Sequence, residues 1–380
     1  MANFRQPTDN KVINFVWCRA AGHCELCSKD LTLDLVTLTP VKLGEVAHIF
    51  PASKNGPRAM PSQTTATSKA LTDDPKNLML LCTNCHTGID KTPEGYPAND
   101  LTDAHLAFVQ AVEFAANVNK YNVAAGVIIL GHHFTTSNNI DPSELQAAMW
   151  RDRLRPISLP LKIVLPEIDQ HGRDDRYYGN VRRKFKDNFE RELTRFQGEL
   201  GDKPVVGVVG LADIPSLIIC GQEFGDRIRH EIYSTNRVTR LMWPDKTAGN
   251  PDFTFTFSDK QNQVNALVIS ISAEIPDRDV IAALPNCEIA KFKLAVPNYG
   301  AVQNPAAIDH FGNELQKALS RLEAASSEPI HVFAAIPAAM AIKFGSLLST
   351  NHKHPYAIYD RDPPSNAFRL HIKLNDPKEK

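Results

Sequence analysis

The sequence predicts a chain of two parts. An α+β domain built around a zinc ion covers residues 1–120, and an α/β domain covers residues 121–380. Three observations lead there. Two cysteine pairs, "CELC" (Cys24, Cys27) and "CTNC" (Cys82, Cys85), repeat the two-residue spacing of a metal knuckle. Between and just behind them runs the order strand, loop, strand, helix. After Tyr121 short apolar strands alternate with helical stretches, the pattern of a largely parallel sheet. At 380 residues the chain is also long for one compact domain.

Composition sets the outer limits. A hydrophobic content of 43% and a charged content of 22% are ordinary for a globular protein. The start, "MANFRQPTDN", lacks the basic and apolar segments of a signal peptide. No apolar run reaches the roughly 20 residues of a membrane helix. The expected location is the cytoplasm, without membrane contact. In that reducing compartment clustered cysteines read as metal ligands rather than disulfides. The formal net charge of -1 lacks the basic excess of a constitutive nucleic-acid binder. Any grip on nucleic acid must come from a local patch or from several copies acting together.

The elements follow in order. Each cysteine pair forms a knuckle, and the two together make a closed tetrahedral sulfur site for structural zinc. Cys18, Cys220 and Cys287 stand alone and are expected to be small buried hydrophobes. "EVAHIF" (Glu45 to Phe50) reads as a strand with His48 near its end, and "SKNGPR" after it as a turn. Asn77 precedes a second strand, Leu78 to Leu81. A helix begins near Thr83 and carries His86. "DLTDAHLAFVQAVEFAANVNK" reads as a helix capped by Thr102, with Leu106, Val109 and Val112 on its apolar face.

The constellation "AHI", "KNL" and "LCTNCH" resembles the HNH endonuclease family, with its ββα-metal fold and a double-knuckle zinc. The resemblance covers roughly the first third of the chain. It implies hydrolysis of a phosphodiester in double-stranded DNA. His48 would be the general base that deprotonates water, a task suited to imidazole. Asn77 would hold the active loop and the His48 ring. His86 would bind a catalytic cation, Mg2+ or Mn2+, separate from the zinc. The position directly before the base, often a metal ligand in the family, is Ala47 here. Asp90, four after His86 on the helix, and Glu45, expected on the His48 side of the strand, are candidates for the missing oxygen ligand. Asp73 and Asp74 are further candidates.

In the second part "VVGVVGL" runs into "IPSLIICGQEFGDRIRHEI", and "IHVFAAIP" runs into "AAMAIKFGSLLS". A strand-turn-helix near Val205 to Ile228 is thus echoed near Ile330 to Leu348. "NALVISISAEI" and "CEIAKFKLAV" read as strands, and "AAIDHFGNELQKALSRLEAA" as an amphipathic helix. This doubled pattern, with "HVFAAIPAAMAIKFG" and "YAIYDRD", resembles the SAVED domain, two fused CARF-like Rossmannoid units that sense cyclic oligonucleotides. In open α/β sheets ligands bind at the carboxyl ends of strands. The ligand candidates are therefore the helix start at Ala338 with the side chains of Arg227, Tyr299, Lys343 and Tyr356.

The domain order resembles an effector nuclease of bacterial CBASS anti-phage systems. That resemblance implies a cyclic di- or trinucleotide messenger from a cognate nucleotidyltransferase, and ligand-induced homo-oligomers that bring nuclease domains together. Two rivals remain at this stage. One is a non-catalytic zinc-knuckle sensor that binds nucleic acid; the other is a restriction-like DNase that needs no messenger.

Overall fold

The structure is a computed structural model of the chain. It describes residues 8–34, 36–132, 140–168, 172–200, 205–225, 228–234, 242, 249–258, 265–300, 302, 304–348, 354–362 and 365–376. The chain divides into two compact units, Met1–Lys120 and Tyr121–Lys380.

In the first unit helix α1 (Asn10–Arg19) starts where the Asp9 carboxylate accepts the Lys11 N–H at 2.7 Å. Strand β1 (Gly44–His48) pairs antiparallel with β2 (Leu78–Cys82), in a register running from Gly44 opposite Cys82 to His48 opposite Leu78. Every residue of β2 is buried, as its apolar run requires. Between the strands lies α2 (Thr65–Thr72), capped by Thr64. Helix α3 (Thr83–Lys91) follows β2 without a loop, because the Cys82 sulfur is its N-cap and accepts the Cys85 N–H at 3.4 Å. The second knuckle and the helix start are one feature.

Helix α4 (Ala98–Asn117) corrects two expectations. It begins at Ala98 behind Pro97, and Thr102 lies inside it, donating its hydroxyl to the Ala98 carbonyl at 2.8 Å. Its buried face is Leu101, His105 and Val109, while Leu106 is 45% exposed. The reason is a polar pair that periodicity cannot show. Glu25, inside the first knuckle, turns into the core; it takes the Leu80 N–H at 2.8 Å and the His105 Nδ1 at 2.6 Å. Both side chains are buried, and each meets the other's polar atoms in place of water.

The second unit opens with β3 (Asn122–Leu130), α5 (Pro142–Arg151), β4 (Leu154–Pro156), β5 (Leu161–Val164), α6 (Asp175–Leu200), β6 (Val205–Leu211), α7 (Ile214–Phe224) and β7 (Arg229–Tyr233). Their sheet has the order β4-β3-β6-β7, all parallel, with β5 also paired to β3. There follow β8 (Phe253–Thr256), β9 (Asn265–Ser270), α8 (Asp277–Ala283), β10 (Glu288–Leu294), α9 (Pro305–Ala325), β11 (Ile330–Ala335), α10 (Ala338–Leu347), β12 (Tyr356–Arg361) and β13 (Phe368–Leu374). These strands form a second sheet, β13-β12-β11-β9-β10-β8, parallel inside and antiparallel at both edges. No helix among the described residues is long and apolar enough to cross a membrane.

The two sheets are joined by α7 and α10. A methyl group on Gly221 would lie 2.1 Å from the Ile342 carbonyl oxygen, and one on Gly345 would lie 2.0 Å from the Ile218 oxygen. Only glycine lets the two backbones meet so closely. The contacts are reciprocal. Ile218 and Gly221 stand at the fifth and eighth positions of α7, and Ile342 and Gly345 at the fifth and eighth positions of α10. Contacts of i to j and j to i are what a two-fold axis produces. The doubled strand-turn-helix in the sequence is therefore a pair of related units crossing at equivalent glycines.

Candidate active site and metal centre

Cys24, Cys27, Cys82 and Cys85 come together, their sulfur atoms all within 4.8 Å of one another. A Zn–S distance of about 2.3 Å places tetrahedral sulfurs about 3.8 Å apart. Cys27 Sγ and Cys82 Sγ are 3.8 Å apart. Burial opposes ionisation of Cys82, but the Cys85 N–H and the neighbouring thiols favour its thiolate and bring it down to about 7. Burial and those same thiols push Cys85 up. One site that holds one thiolate at the expense of the next suits a cation that can balance all of them. The four cysteines can hold zinc. Of the lone cysteines, Cys220 is buried as expected, Cys287 is half-buried and Cys18 is exposed.

His48 closes β1 and is buried. Its Nε2 lies 3.2 Å from the Thr72 carbonyl. A carbonyl only accepts, so Nε2 is the donor in this contact. Asn77 is 3% exposed. Its amide accepts the Phe50 N–H at 2.7 Å and donates to the carbonyls of Phe50 at 2.9 Å and Leu71 at 3.0 Å. Asn77 thus clamps the loop behind β1, as expected, but it does so through the backbone. It does not hold the His48 ring; Thr72 does.

His86 lies on α3 with two acids beside it. Its Nδ1 is 2.6 Å from Glu45 Oε2, and its Nε2 is 3.6 Å from Asp90 Oδ2. Glu45 stands three residues before His48, so strand alternation puts it on the opposite face, the face of Ala47. The expectation of a shared side was wrong by one residue of register. Asp73 and Asp74 are occupied as backbone caps, accepting the N–H groups of Asp9 at 2.9 Å and Lys76 at 3.0 Å.

Arg58 is a residue that sequence reasoning missed. Its side chain is 6% exposed and its backbone lies in the left-handed region, with φ of 64°. It donates to the carbonyls of Ile49 at 3.0 Å, His48 at 3.4 Å and Ile89, and approaches Asp90 Oδ1 at 3.4 Å. It therefore ties the end of β1 to the end of α3. Nothing in "NGPR" signals this, because the partners come from distant segments.

In the second unit Ala338 opens α10 behind the carboxyl end of β11, after Pro337 and with no side-chain cap. The equivalent end of α7 differs. Asp213 caps it, accepting the Ser216 N–H at 3.0 Å. Arg173, close to Asp213 at 3.9 Å, also binds Asp360 Oδ2 and the Arg361 carbonyl, each at 2.6 Å. Burial pushes the Asp360 carboxyl up against the pull of Arg173. These residues tie the carboxyl ends of β6 and β12; Asp360 and Arg361 lie in the "YAIYDRD" stretch, and Arg173 is the member that the sequence reading missed.

The proposed ligand side chains fare unequally. Tyr299 is 69% exposed in the loop after β10. Lys343 is committed to Asp309 at 2.9 Å, with its stem over Gly312. Tyr356 is 1% exposed and gives its hydroxyl to Glu323. It begins β12 opposite Ile330, so it sits at the amino end of the parallel strands. The structure withdraws Tyr356 from a pocket at the carboxyl ends, and a parallel strand can present only one of its ends there. Arg227 lies outside the described residues.

Residues 24–92 match the HNH endonuclease family, and residues 189–374 match SAVED, the SMODS-associated sensor domain found fused to various effectors. The chain joins an HNH endonuclease domain to a SAVED domain. The HNH match spans both knuckles, His48, Asn77, His86 and Asp90. Among solved structures, the chain is similar to the Acinetobacter baumannii Cap4 SAVED/CARF-domain containing receptor with the cyclic trinucleotide 2'3'3'-cAAA. That match has a TM-score of 0.46 and 12% identity, covering 84% of this chain and 68% of that one. The same receptor with 3'3'3'-cAAA gives 0.46 and 12%, covering 83% and 68%. The Moraxella osloensis Cap4 receptor gives 0.43 and 13%, covering 70% and 54%. No curated protein matches the chain.

Proposed function

We propose that the protein is a metal-dependent endonuclease of double-stranded DNA, switched on by a cyclic oligonucleotide and acting in CBASS anti-phage defence. The observation that carries the reading is the union, in one chain, of a SAVED domain with an HNH endonuclease domain. His48 takes the proton of the attacking water, its ring oriented by the contact of Nε2 with the Thr72 carbonyl. Asn77 holds the loop after His48, and Arg58 holds that loop to α3. His86 and Asp90 would hold Mg2+ or Mn2+, which supplies charge relief at the phosphate and the leaving oxygen. The cysteine site carries structural zinc and takes no part in the chemistry, since four thiolates leave no open position.

A cyclic di- or trinucleotide from a cognate nucleotidyltransferase would bind where the parallel strands end, near Ala338 and Tyr299. The messenger favours the state it binds more tightly, here an assembly of several chains. The net charge of -1 supports this gating, because one copy has little basic excess with which to grip DNA and several copies sum their contacts. Supercoiled plasmid with Mg2+, incubated with and without a panel of cyclic di- and trinucleotides, tests the reading. Nicking should appear with one messenger and track the rise in mass by light scattering. Cutting without any messenger would make the protein a restriction-like DNase. No cutting under any condition, with messenger bound, would make it a non-catalytic sensor.

A further inference from the structure

We propose that Glu45 is a positioning residue that fixes the tautomer of His86, and that it is not itself a ligand of the cation. The inference rests on the reading of His86 as a cation ligand. The resemblance left an oxygen ligand unaccounted for, since Ala47 stands where the family often has one, and Glu45 was the nearest acid on the strand. The geometry gives Glu45 another task. Its Oε2 sits 2.6 Å from His86 Nδ1, a hydrogen-bond distance. An ionised carboxylate only accepts, so Nδ1 must carry the ring proton. The lone pair is then on Nε2, on the far side of the ring from Glu45. Nε2 is the nitrogen that faces Asp90.

The remaining contacts agree. Thr83 at the start of α3 donates its hydroxyl to Glu45 Oε1 at 3.2 Å, so each oxygen of Glu45 has a partner within the chain. Asp90 divides its own oxygens. Oδ1 lies 3.4 Å from the Arg58 guanidinium, and Oδ2 lies 3.6 Å from His86 Nε2. That second separation is beyond a hydrogen bond. Adjacent ligands of a small cation held at about 2.1 Å lie about 3.0 Å apart, so Asp90 Oδ2 would close by about 0.6 Å to share a cation with His86 Nε2. Strand geometry explains why Glu45 cannot stand in for a ligand at position 47. The two share a face, but Glu45 is displaced by about 7 Å along the strand, away from His48. A histidine that donates its second nitrogen to a carboxylate is held in orientation and made a better ligand, and losing such a partner costs 10–100-fold in metal affinity.

The test measures Mn2+ binding to the full, zinc-loaded chain by electron paramagnetic resonance, in the absence of DNA. Zinc content and thermal transitions check that each variant is folded. Glu45→Ala should bind Mn2+ about 10–100-fold more weakly. Glu45→Gln should stay close to the unaltered protein, because its amide oxygen still accepts from Nδ1–H. Nitrogen-15 spectra of the His86 ring should show the proton on Nδ1, and adding Mg2+ should move the Nε2 signal while Nδ1 stays protonated. Unchanged affinity in Glu45→Ala would overturn the inference. So would a Gln variant as weak as the Ala variant, the mark of a direct carboxylate ligand, or loss of the Nδ1 proton on adding Mg2+. Unaltered Mn2+ binding by His86→Ala would instead remove the reading of His86 as a ligand, and this inference with it.

Discussion

The two units solve the same problem, holding a fold together, by different means. In Met1–Lys120 the buried apolar set is small, centred on β2 with Val16, Leu31, Ile49 and Leu101. Polar and sulfur groups do much of the joining: four cysteines, the Glu25–His105 pair, the Asn77 clamp and the Arg58 staple. In Tyr121–Lys380 a broad apolar core spans both sheets, and the critical contact is one of shape, with α7 and α10 meeting backbone to backbone. The difference teaches where chemistry is easy to read. A unit stitched by thiols, imidazoles and carboxylates displays its function as residue types at fixed spacings. A unit stitched by close packing does not.

The largest expected effect is loss of zinc. Structural zinc contributes about 10–16 kcal/mol of apparent binding free energy to small folds. Cys82→Ser, or a strong chelator, should abolish the folded state of the N-terminal unit and leave the C-terminal transition in place. Calorimetry of the full chain, with elemental analysis, reads both. An N-terminal transition that survives without zinc would show that its apolar core suffices, and the contrast between the units would fall.

His48→Ala should lower messenger-dependent nicking by about 10²–10⁴-fold. Both thermal transitions and messenger binding should stay near their original values. Messenger-dependent nicking at the original rate would take His48 out of the chemistry.

Gly221→Ala should destabilise the C-terminal unit by about 3 kcal/mol, as overpacking does. Gly345→Ala should cost a similar amount, because the contact is reciprocal. Zinc content should not change in either. Unequal costs, read by denaturant midpoints, would show that the two crossings are not equivalent in energy.

The smallest effects separate two tyrosines. Tyr356→Phe removes a buried hydrogen bond to Glu323, which should cost about 2 kcal/mol of stability and leave messenger affinity alone. Tyr299→Ala should do the reverse, sparing stability and weakening the binding of a cyclic trinucleotide about tenfold through a lost stacking surface. Calorimetric titration against a cyclic trinucleotide distinguishes them. Weaker binding in Tyr356→Phe would return that residue to the ligand site.

Much of this protein was legible before its tertiary structure. The knuckle spacing in "CELC" and "CTNC" specified a sulfur site, because tetrahedral ligation demands tight pairs. The order of His48, Asn77 and His86 around two strands and a helix specified the ββα arrangement, and period and turn residues specified the α/β pattern after Tyr121. These signals are local, and local geometry follows from neighbours in sequence. What only the tertiary structure decided depends on residues far apart in the chain. Arg58 is an ordinary surface arginine until Ile49, Ile89 and Asp90 close around it. His105 looks like a helix-surface residue until Glu25 arrives from 80 residues away. Tyr356 changed from ligand candidate to core because the direction of β12 fixes which end of the strand faces the helix starts. Glu45 changed face because alternation along a strand is counted residue by residue, and its partner on α3 is set by how that helix packs on the strand pair. Distances between distant segments are set by packing, and packing is where a pattern in one dimension stops carrying information.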